Sequence, residues 1–335
     1  MDQSVTTLLQ LYSSLSPEEQ NCFLQQISTG EQANLVQSIV ELPAVTECPH
    51  CKSQRIRRFG FKGSKQRYQC KDCGKTFLQT TGTIFAGSLY PLSVWRNYID
   101  CMMKGLSIRK SAAVCGIDPT TAFYWRHKIL DALQLRQQKV EIGGVIEADE
   151  TFMPLSFKGN HKSFKLPRPA RHRGAQVHKR GLSKEQVCIP CAVNREGLSF
   201  SRISNLGTVS ADALNKVFAQ HLKADSVLVT DRNSSYIRYS AQHELRLIQV
   251  KNCHSKGLFN IQRINSYHSL FKRFIRPFNG VSTKYLNNYF VWHNFLNIAK
   301  DAIDLKPKIL FGFLIKTLFA EKSQNLKSRK PIPIL

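Results

Sequence analysis

Acidic residues inside two apolar segments are the first sign of chemistry in this chain. Residues 145–151 read Val-Ile-Glu-Ala-Asp-Glu-Thr, and strand alternation places Glu147 and Asp149 on one face and Glu150 on the other. Residues 227–231 read Val-Leu-Val-Thr-Asp and end in Asp231. Carboxylates in apolar strands cost free energy unless a cation compensates them, so the pattern favours a metal site. Asp231 taken alone also fits a simple cap at the end of a strand.

His268 and Lys272 supply a further pair of candidate groups. They lie four residues apart in Asn-Ser-Tyr-His-Ser-Leu-Phe-Lys, and on a helix this spacing places them on one face. Two strand acids and a third group from a helix can hold two divalent metals about 3.5–4 Å apart. Such a pair activates an attacking oxygen and stabilises the leaving oxygen of a phosphodiester. A histidine that only packs or hydrogen-bonds is the alternative for His268.

Four cysteines in the first quarter of the chain have the spacing of a structural zinc site. The pairs Cys48-Pro-His-Cys51 and Cys70-Lys-Asp-Cys73 are separated by eighteen residues. Each Cys-x-x-Cys turn directs two thiolates toward one point, and four thiolates complete the tetrahedral shell of Zn²⁺. Because protein fills all four positions, the predicted zinc is structural rather than catalytic.

The segment between these cysteine pairs is strongly basic. It contains no acid, and aromatic residues alternate with its cations. A small rigid loop with this charge suits contact with DNA phosphates, and a solvated hairpin is the alternative. The predicted DNA-contacting cations are Lys52, Arg55, Arg57, Arg58, Lys62, Lys65 and Arg67.

Residues 105–130 have the pattern of a helix-turn-helix. A short helix from about Ile108 is expected to end at Cys115-Gly116, and Asp118 then caps a second helix with Pro119 at its first position. This arrangement presents the start of the second helix to a DNA groove, although an ordinary helical hairpin gives the same pattern. The predicted DNA contacts are Thr120, Thr121 and Tyr124, with Arg126 and Lys128 nearer the phosphates.

The second half of the chain is expected to form a mixed sheet with flanking helices. Three antiparallel strands precede alternating helices and strands, which is the RNase H-like order as a fold-level analogy. Strands are predicted at 144–153, 186–194, 198–204, 226–231 and 245–250, and helices at 210–222, 262–276 and 282–300. A short polar segment is expected between the last two strands.

The predicted fold class is α+β or α/β with several domains. We expect a small helical segment at 1–44, a zinc ribbon at 45–80, a helix-turn-helix at 88–138, an RNase H-like catalytic domain at 142–300 and a C-terminal tail at 301–335.

The ordered motifs resemble those of bacterial insertion-sequence transposases that combine an N-terminal zinc ribbon with a DDE-type catalytic domain. In that family the third catalytic position is Glu, Asn or His, followed four residues later by Lys. The resemblance covers about residues 45–300. The matching segments are the cysteine unit at 48–77, the helix-turn-helix, Glu-Ala-Asp-Glu-Thr at 147–151, Lys-Arg-Gly-Leu-Ser-Lys at 179–184, Val-Thr-Asp at 229–231 and Asn-Ser-Tyr-His-Ser-Leu-Phe-Lys at 265–272.

The resemblance implies an activity and catalytic residues. It implies an enzyme that binds the terminal repeats of an insertion sequence, cleaves the ends by metal-assisted hydrolysis and joins them to target DNA by transesterification. It also implies a homodimer or larger assembly on double-stranded DNA. The family's catalytic acids correspond to Asp149 and Asp231, its third metal-site group to His268, and its trailing lysine to Lys272.

The third catalytic position departs from the commonest pattern because it holds His268 in place of an acid. Imidazole suits transition metals, whereas Mg²⁺ prefers oxygen ligands, so we expect activity in Mn²⁺ to exceed activity in Mg²⁺. Glu147 and Glu150 are candidates for the missing metal-binding carboxylate, with Glu147 on the face shared with Asp149.

The charge of the chain agrees with a nucleic-acid partner. Its 335 residues carry a formal net charge of +25, although residues 1–51 contain six acids and no Lys or Arg. A surplus of this size points to a polyanion. A second cationic run without acids covers residues 152–184, and a loop that orders on DNA and a solvated linker are the two interpretations.

The sequence favours a cytoplasmic, nucleoid-associated protein with no membrane partner. The N-terminus lacks a basic region and a long apolar run, so no signal peptide is expected. The apolar stretch from Ile309 to Ala320 is too short to span a bilayer. Cysteines in the cytoplasm are reduced, so paired cysteines indicate metal rather than disulfides. Cys188 and Cys191 instead lie in an apolar segment without a second pair, which favours core packing.

Two rival functions fit part of the pattern. A non-catalytic DNA-binding regulator derived from a transposase keeps the ribbon and the helix-turn-helix. Such a regulator has no need of Asp149 and Asp231 in apolar strands, so these acids favour the enzyme. A plain nuclease, the second rival, cuts DNA without joining it.

Overall fold

The computed structural model describes residues 44–159, 183–251, 257–298 and 306–331. These residues fall into two compact units, one covering 44–132 with 306–327 and the other covering the described part of 133–298 with 328–331. The predicted N-terminal helices and most of the second cationic run lie outside the described residues. In the described part of the chain, no helix is both long enough and apolar enough to cross a bilayer.

Among the described residues, three strands lie in the first unit and six in the second, and both units contain helices. The strands are β1 (Ile56–Lys62), β2 (Lys65–Cys70), β3 (Thr76–Leu78), β4 (Val145–Pro154), β5 (Gln186–Asn194), β6 (Ser199–Ser201), β7 (Asn205–Leu206), β8 (Val227–Thr230) and β9 (Arg246–Gln249). The helices are α1 (Leu92–Met103), α2 (Ile108–Cys115), α3 (Pro119–Gln137), α4 (Ala211–Phe218), α5 (Ser234–Gln242), α6 (Gln262–Ile275), α7 (Leu286–Asn297), α8 (Lys306–Lys316) and α9 (Ser323–Ser328).

The first unit opens with a small antiparallel sheet in the order β1-β2-β3. Its buried core consists of Cys48, Cys70 and Phe77, and the ring of Tyr68 stacks on Phe77 with 5.8 Å between centroids. A core of three side chains is too small to hold a fold by itself. The sheet therefore depends on a further stabilising link between its turns.

Helices α2 and α3 have the boundaries that the sequence predicts. Ser107 caps α2 by accepting a hydrogen bond from the Lys110 N–H at 3.3 Å, and Gly116 ends the helix in the left-handed conformation with φ 63°. Asp118 Oδ1 then accepts the Thr120 N–H at 2.7 Å, with Pro119 at the first position of α3. These caps fix the turn between the helices because each satisfies backbone groups that a helix end leaves unpaired.

The second unit is a mixed α/β arrangement around a mixed sheet. The strand order is β6-β5-β4-β8-β9, with β7 also paired to β5. The β4–β5 and β5–β6 pairs are antiparallel, whereas β4–β8 and β8–β9 are parallel. The predicted sequence of antiparallel strands followed by alternating helices and strands is therefore observed in this sheet.

Strand β5 is buried along almost its whole length, which explains its apolar sequence. Pro190 lies in its middle but removes no hydrogen bond from the ladder. On the side of β5 that faces β6 and β7, residues 191–193 pair with β6 and residues 187–188 pair with β7, so Pro190 lies in the gap between the two pairings. A proline is tolerated at such a gap because no backbone N–H is needed there.

Three sequence predictions differ from the structure. The polar segment after β8 is helix α5, whose apolar face consists of Tyr236 and Tyr239 among serines and an arginine. The predicted strand at 198–204 covers only the three residues of β6. The predicted tail contains helices α8 and α9, and Phe311 of α8 packs against Phe85 within the first unit.

Candidate functional site

The two cysteine turns have matching backbone geometry. In each turn, the N–H of the residue after the second cysteine donates to the carbonyl of the first cysteine, at 2.9 Å for Lys52 and 3.1 Å for Gly74. Both of these residues are left-handed, with φ 63° and 71°. Glycine suits such a position, whereas lysine adopts it at some cost.

The four thiols of these turns converge on one point. Their sulfur atoms all lie within 4.8 Å of one another, with 3.8 Å between Cys48 and Cys73 and 3.5 Å between Cys51 and Cys70. Thiolates bound to zinc at about 2.3 Å are about 3.8 Å apart in a tetrahedron. Backbone N–H groups at Cys73 and Asp72 lower the pKa of the Cys70 thiol to about 6. The Ser53 N–H lowers the pKa of Cys51, but hydrogen bonds with the neighbouring thiols outweigh it and raise that pKa to about 12. The convergence of the four sulfurs, not the pKa of a single thiol, supports the site. The cluster can therefore hold a metal such as zinc.

Two of the seven predicted phosphate-binding cations of the ribbon have acidic partners. Lys52 pairs with Glu47 at 2.8 Å and Arg55 pairs with Asp72 at 3.0 Å, and all four side chains are exposed. The acids flank the basic segment and therefore did not appear in its sequence. Exposed pairs of this kind contribute about 0–1 kcal/mol, so they do not prevent either cation from meeting a phosphate.

The other ribbon cations lie on or beside β1 and β2. The guanidinium groups of Arg57 and Arg67 lie over the ring of Phe59, at 5.3 Å and 5.0 Å from its centroid. Arg58 and Lys62 are exposed, and Lys65 is half-buried. The sheet therefore presents its charge on fixed strands rather than on a loose loop.

The structure contradicts one predicted DNA contact in the helix-turn-helix. Arg126 is 1% exposed, and its Nη2 donates to the Leu106 carbonyl at 2.9 Å, so the predicted phosphate contact is wrong. Trp125, the preceding residue of α3, is also buried. Within the same unit, the Trp125 ring stacks on Trp95 at 3.6 Å, which holds α3 against α1.

The remaining predicted contacts of α3 are reachable to different degrees. Thr120 is exposed, while Thr121 and Tyr124 are half-buried. The Lys327 ammonium lies 5.7 Å from the centre of the Tyr124 ring. Lys128 is half-buried, and burial lowers the pKa of its ammonium group.

Asp149 lies on β4, and Asp231 directly follows the neighbouring parallel strand β8. The register pairs Val145 with Val227 and Glu147 with Val229, so each aspartate lies two residues beyond a paired position. Burial raises the pKa of Asp149 to about 6, and the charge of Asp231 adds to this rise. A cation between the two carboxylates offsets both the burial of the Asp149 charge and its repulsion from Asp231.

His268 approaches this acid pair from helix α6. Its Nδ1 lies 3.8 Å from Asp149 Oδ2, and the residue is 7% exposed. Burial and then the nearby Lys272 charge lower the pKa of His268 to about 4, so the ring is neutral at pH 7. A neutral imidazole offers a lone pair to a metal. His268 Nε2 is buried and has no hydrogen-bond partner among the described residues.

The exposed Lys272 lies one helical turn after His268 and lowers the pKa of both Asp149 and His268. The structure thus brings the four predicted catalytic residues into one region. The ligand atoms of Asp149, Asp231 and His268 are less tightly grouped than the cysteine sulfurs, which alone form a cluster within 4.8 Å in the described part of the chain.

The two glutamates predicted as additional carboxylates have different surroundings. Burial raises the pKa of Glu150 to about 7, the nearby Tyr236 hydroxyl opposes this shift, and the charges of Asp149 and Asp231 add to it. Glu150 Oε1 and the Tyr236 hydroxyl are both buried, and neither has a partner within hydrogen-bond geometry among the described residues. Glu147 lies instead at the start of α6, where its Oε2 accepts the N–H groups of Arg263 and Ile264.

Sequence reasoning missed Tyr236 because it lies in the segment that was interpreted as polar. Asn233, whose side chain caps α5, and tyrosines three residues apart were the available signal. The prediction for Cys188 and Cys191 is confirmed, since both thiols are fully buried in β5. Burial raises the pKa of each thiol.

Comparisons with known proteins agree with the motifs. Residues 141–295 match the family described as ISXO2-like transposase domain. A protein from Halobacterium salinarum, described as an uncharacterized protein in transposable element ISH50, is 24% identical over 267 residues. That alignment covers 78% of this chain and 88% of the relative. A crystal structure of a pre-cleavage Mos1 transpososome aligns over 64% of this chain and 78% of its own at 9% identity, and its TM-score of 0.21 is too low to support an argument.

These matches support the predicted resemblance to the transposases of insertion sequences. Residues 141–295 are similar to the ISXO2-like transposase domain, and this segment contains the predicted acids, His268 and Lys272.

Proposed function

We propose that this chain is an active DNA transposase that binds the terminal repeats of its element, cleaves the ends and joins them to target DNA. The observation that carries the proposal is the placement of Asp149 on β4 and of Asp231 at the end of the adjacent parallel strand β8, with His268 3.8 Å from Asp149. The strand order of the second unit supports an RNase H-like catalytic domain over residues 142–300.

Asp149 and Asp231 are proposed to hold two divalent cations, Mg²⁺ or Mn²⁺, with His268 as a third ligand through Nδ1, the ring nitrogen nearest Asp149. The raised pKa of Asp149 and the buried, neutral imidazole support this fit. When bound, the cations supply an activated nucleophile and stabilise the leaving oxygen. Glu150, beside the aspartates, is a further candidate ligand.

The chemistry that these residues serve has two steps. In the first, a water oxygen bonds to phosphorus at the element end, the bond to the 3′-oxygen breaks, and that oxygen leaves as a hydroxyl. In the second, this hydroxyl attacks a target phosphodiester and displaces the target's 3′-oxygen. Lys272 is exposed on the helix face next to His268, where its ammonium can hold a phosphate oxygen through both steps.

DNA binding is assigned to the first unit. Zn²⁺ at Cys48, Cys51, Cys70 and Cys73 holds the ribbon, whose cations neutralise phosphates, and Thr120 at the start of α3 faces the bases. We also propose a homodimer or larger assembly on DNA, since two ends must be joined, and a cytoplasmic location at the nucleoid.

The proposal is tested with the full chain and a labelled duplex made from the DNA that flanks its gene. Strand cleavage and joining to a plasmid are measured in Mg²⁺ and in Mn²⁺. Asp149→Asn and Asp231→Asn are each expected to lower both rates by about 100-fold or more, because metal stabilisation of the transition state is worth several kcal/mol. Duplex binding should stay nearly unchanged.

Asp212→Asn is the matched control, because this exposed aspartate of α4 lies in the same unit. Its rates should equal those of the unmodified chain. Joining by Asp231→Asn at the control rate overturns the proposal. Sequence-specific binding without any cleavage, in either metal, supports the regulator instead, and cleavage without joining supports a nuclease.

A further inference from the structure

Helix α6 is only partly capped by its own sequence, because Asn260 Oδ1 accepts the Gln262 N–H at 3.1 Å while the next two N–H groups have no local side-chain acceptor. Its N-cap residue, Ile261, has no side chain that can accept a hydrogen bond, and a helix start leaves several N–H groups without partners. Glu147 of the central strand β4 supplies the missing acceptor from 116 and 117 residues away. Its Oε2 accepts the Arg263 N–H at 2.8 Å and the Ile264 N–H at 3.1 Å.

We infer that Glu147 is a positioning residue of the reaction, which caps α6 and thereby holds His268 beside Asp149. The inference rests on the proposed function of that site. From the sequence, Glu147 was a candidate metal ligand. The inference instead gives Glu147 a role that acts through helix α6.

The distances along the two elements support this role. Asp149 lies two residues beyond Glu147, which is about 6.6 Å along a strand. His268 lies four residues beyond Ile264, which is about 6 Å along a helix. From their shared cap, the strand and the helix therefore extend by nearly equal lengths, and Asp149 and His268 meet at 3.8 Å. A shift of the helix start along its axis transfers directly to the imidazole.

The environment of Glu147 also suits a cap. The residue is 6% exposed, and its carboxylate lies at the positive end of the helix dipole. A buried carboxylate without such donors is costly, and the two N–H groups satisfy Oε2. Metal binding through the same oxygen requires these hydrogen bonds to break.

Further along, α6 has contacts that do not depend on Glu147. The Tyr267 hydroxyl hydrogen-bonds Ser201 Oγ at 2.7 Å and Asn294 Oδ1 at 2.6 Å, and the Phe271 ring stacks on Phe290 at 3.7 Å. Loss of the cap is therefore expected to shift the N-terminal part of α6, up to and including His268, while these contacts keep the helix as a whole attached to the fold.

Two substitutions separate a cap from a metal ligand. Glu147→Gln removes the charge but keeps a carbonyl oxygen at the same reach. Glu147→Asp keeps the charge but shortens the side chain by one methylene, so that one oxygen no longer reaches both N–H groups. A cap depends on reach, whereas a metal ligand depends on charge.

The full-length variants are compared in two assays. Hydrogen exchange of the metal-free protein, read on peptides that cover 262–268, should be faster in Glu147→Asp and unchanged in Glu147→Gln. End cleavage in Mn²⁺ should fall about 10–100-fold in Glu147→Asp, as for other residues that orient a metal ligand, and stay within about 10-fold in Glu147→Gln. Glu141→Gln, in an exposed acid just before β4, is the control and should change neither.

The inference is overturned if Glu147→Gln is as inactive as Asp149→Asn while Glu147→Asp keeps activity. It is also overturned if exchange at 262–268 in Glu147→Asp equals that of the unmodified chain. Failure of the proposed function gives a different result, namely full cleavage by Asp149→Asn or none by the unmodified chain. The exchange assay still reports on the cap in either case, because it needs no metal and no DNA.

Discussion

Removal of one cysteine ligand is expected to unfold the ribbon and leave the second unit intact. In Cys48→Ser, a hydroxyl replaces a thiolate in a cluster whose sulfurs lie within 4.8 Å of one another. The ribbon buries three core side chains, of which Phe77 contributes about 1.5–3 kcal/mol. A structural zinc site contributes about 10–16 kcal/mol, so we expect bound zinc to be the dominant stabilising contact of this sheet.

The assay combines metal analysis with local exchange. The unmodified chain should contain one zinc, and Cys48→Ser should lose zinc affinity by more than the about 10–100-fold that an outer-shell change costs. Exchange should then rise across 48–78 and stay unchanged across β4 and β5. Cys115→Ser, in a half-buried cysteine outside the cluster, is the control and should keep its zinc.

Full zinc content in a Cys48→Ser, Cys70→Ser double variant would refute the four-cysteine site. Zinc loss without faster exchange in the ribbon would instead show that its three-residue core is sufficient, and the stabilising role of the metal would be wrong.

Three further predictions concern the site, the ribbon and the helices. His268→Ala should lower cleavage strongly, and His268→Glu should keep some activity and shift the Mn²⁺ to Mg²⁺ rate ratio toward Mg²⁺; unmodified rates in His268→Ala would leave this residue as scaffold. Arg58→Ala should reduce the slope of log affinity against log salt by about 0.9 in a DNA-binding titration, because one phosphate contact is lost. Arg126→Ala should lower the free energy of unfolding by about 2–4 kcal/mol in thermal unfolding, because it removes a buried side chain and the donor to the Leu106 carbonyl. An unchanged melting temperature would instead indicate an exposed Arg126 that contacts a DNA phosphate.

Local sequence signals predicted the elements whose ends are marked by their own residues. Gly116, Asp118 and Pro119 determine the turn between α2 and α3 through local caps, and the structure has the same boundaries. The strands of the second unit were predictable because their apolar runs are bounded by polar residues. The central acids were predictable for the same reason, since an acid in such a run is unusual.

The rest of the site depends on contacts between distant residues, which local patterns do not contain. The capping of α6 by Glu147 joins side chain and backbone across sequence separations of 116 and 117 positions. Strand periodicity predicted only the face of the strand on which Glu147 lies. Arg126 was predicted to be a surface cation because arginine side chains are usually exposed. Its side chain is instead buried, and its Nη2 donates to the Leu106 carbonyl, 20 residues earlier in the chain. Helix α5 was missed because tyrosine carries both a polar group and a large apolar ring.

The parallel pairing of β4 with β8 has a consequence for how the protein acquires its activity. Asp231 follows Asp149 by 82 residues in the sequence, and His268 comes later still. Parallel strands cannot pair through a tight turn, and contacts of long sequence separation form slowly during folding. A chain emerging from the ribosome therefore exposes the small sheet β1-β2-β3 well before the acids and His268 can meet. The sheet that is proposed to contact phosphates is thus synthesised ahead of the proposed catalytic site, and an incompletely folded chain lacks the arrangement of acids on which cleavage is proposed to depend.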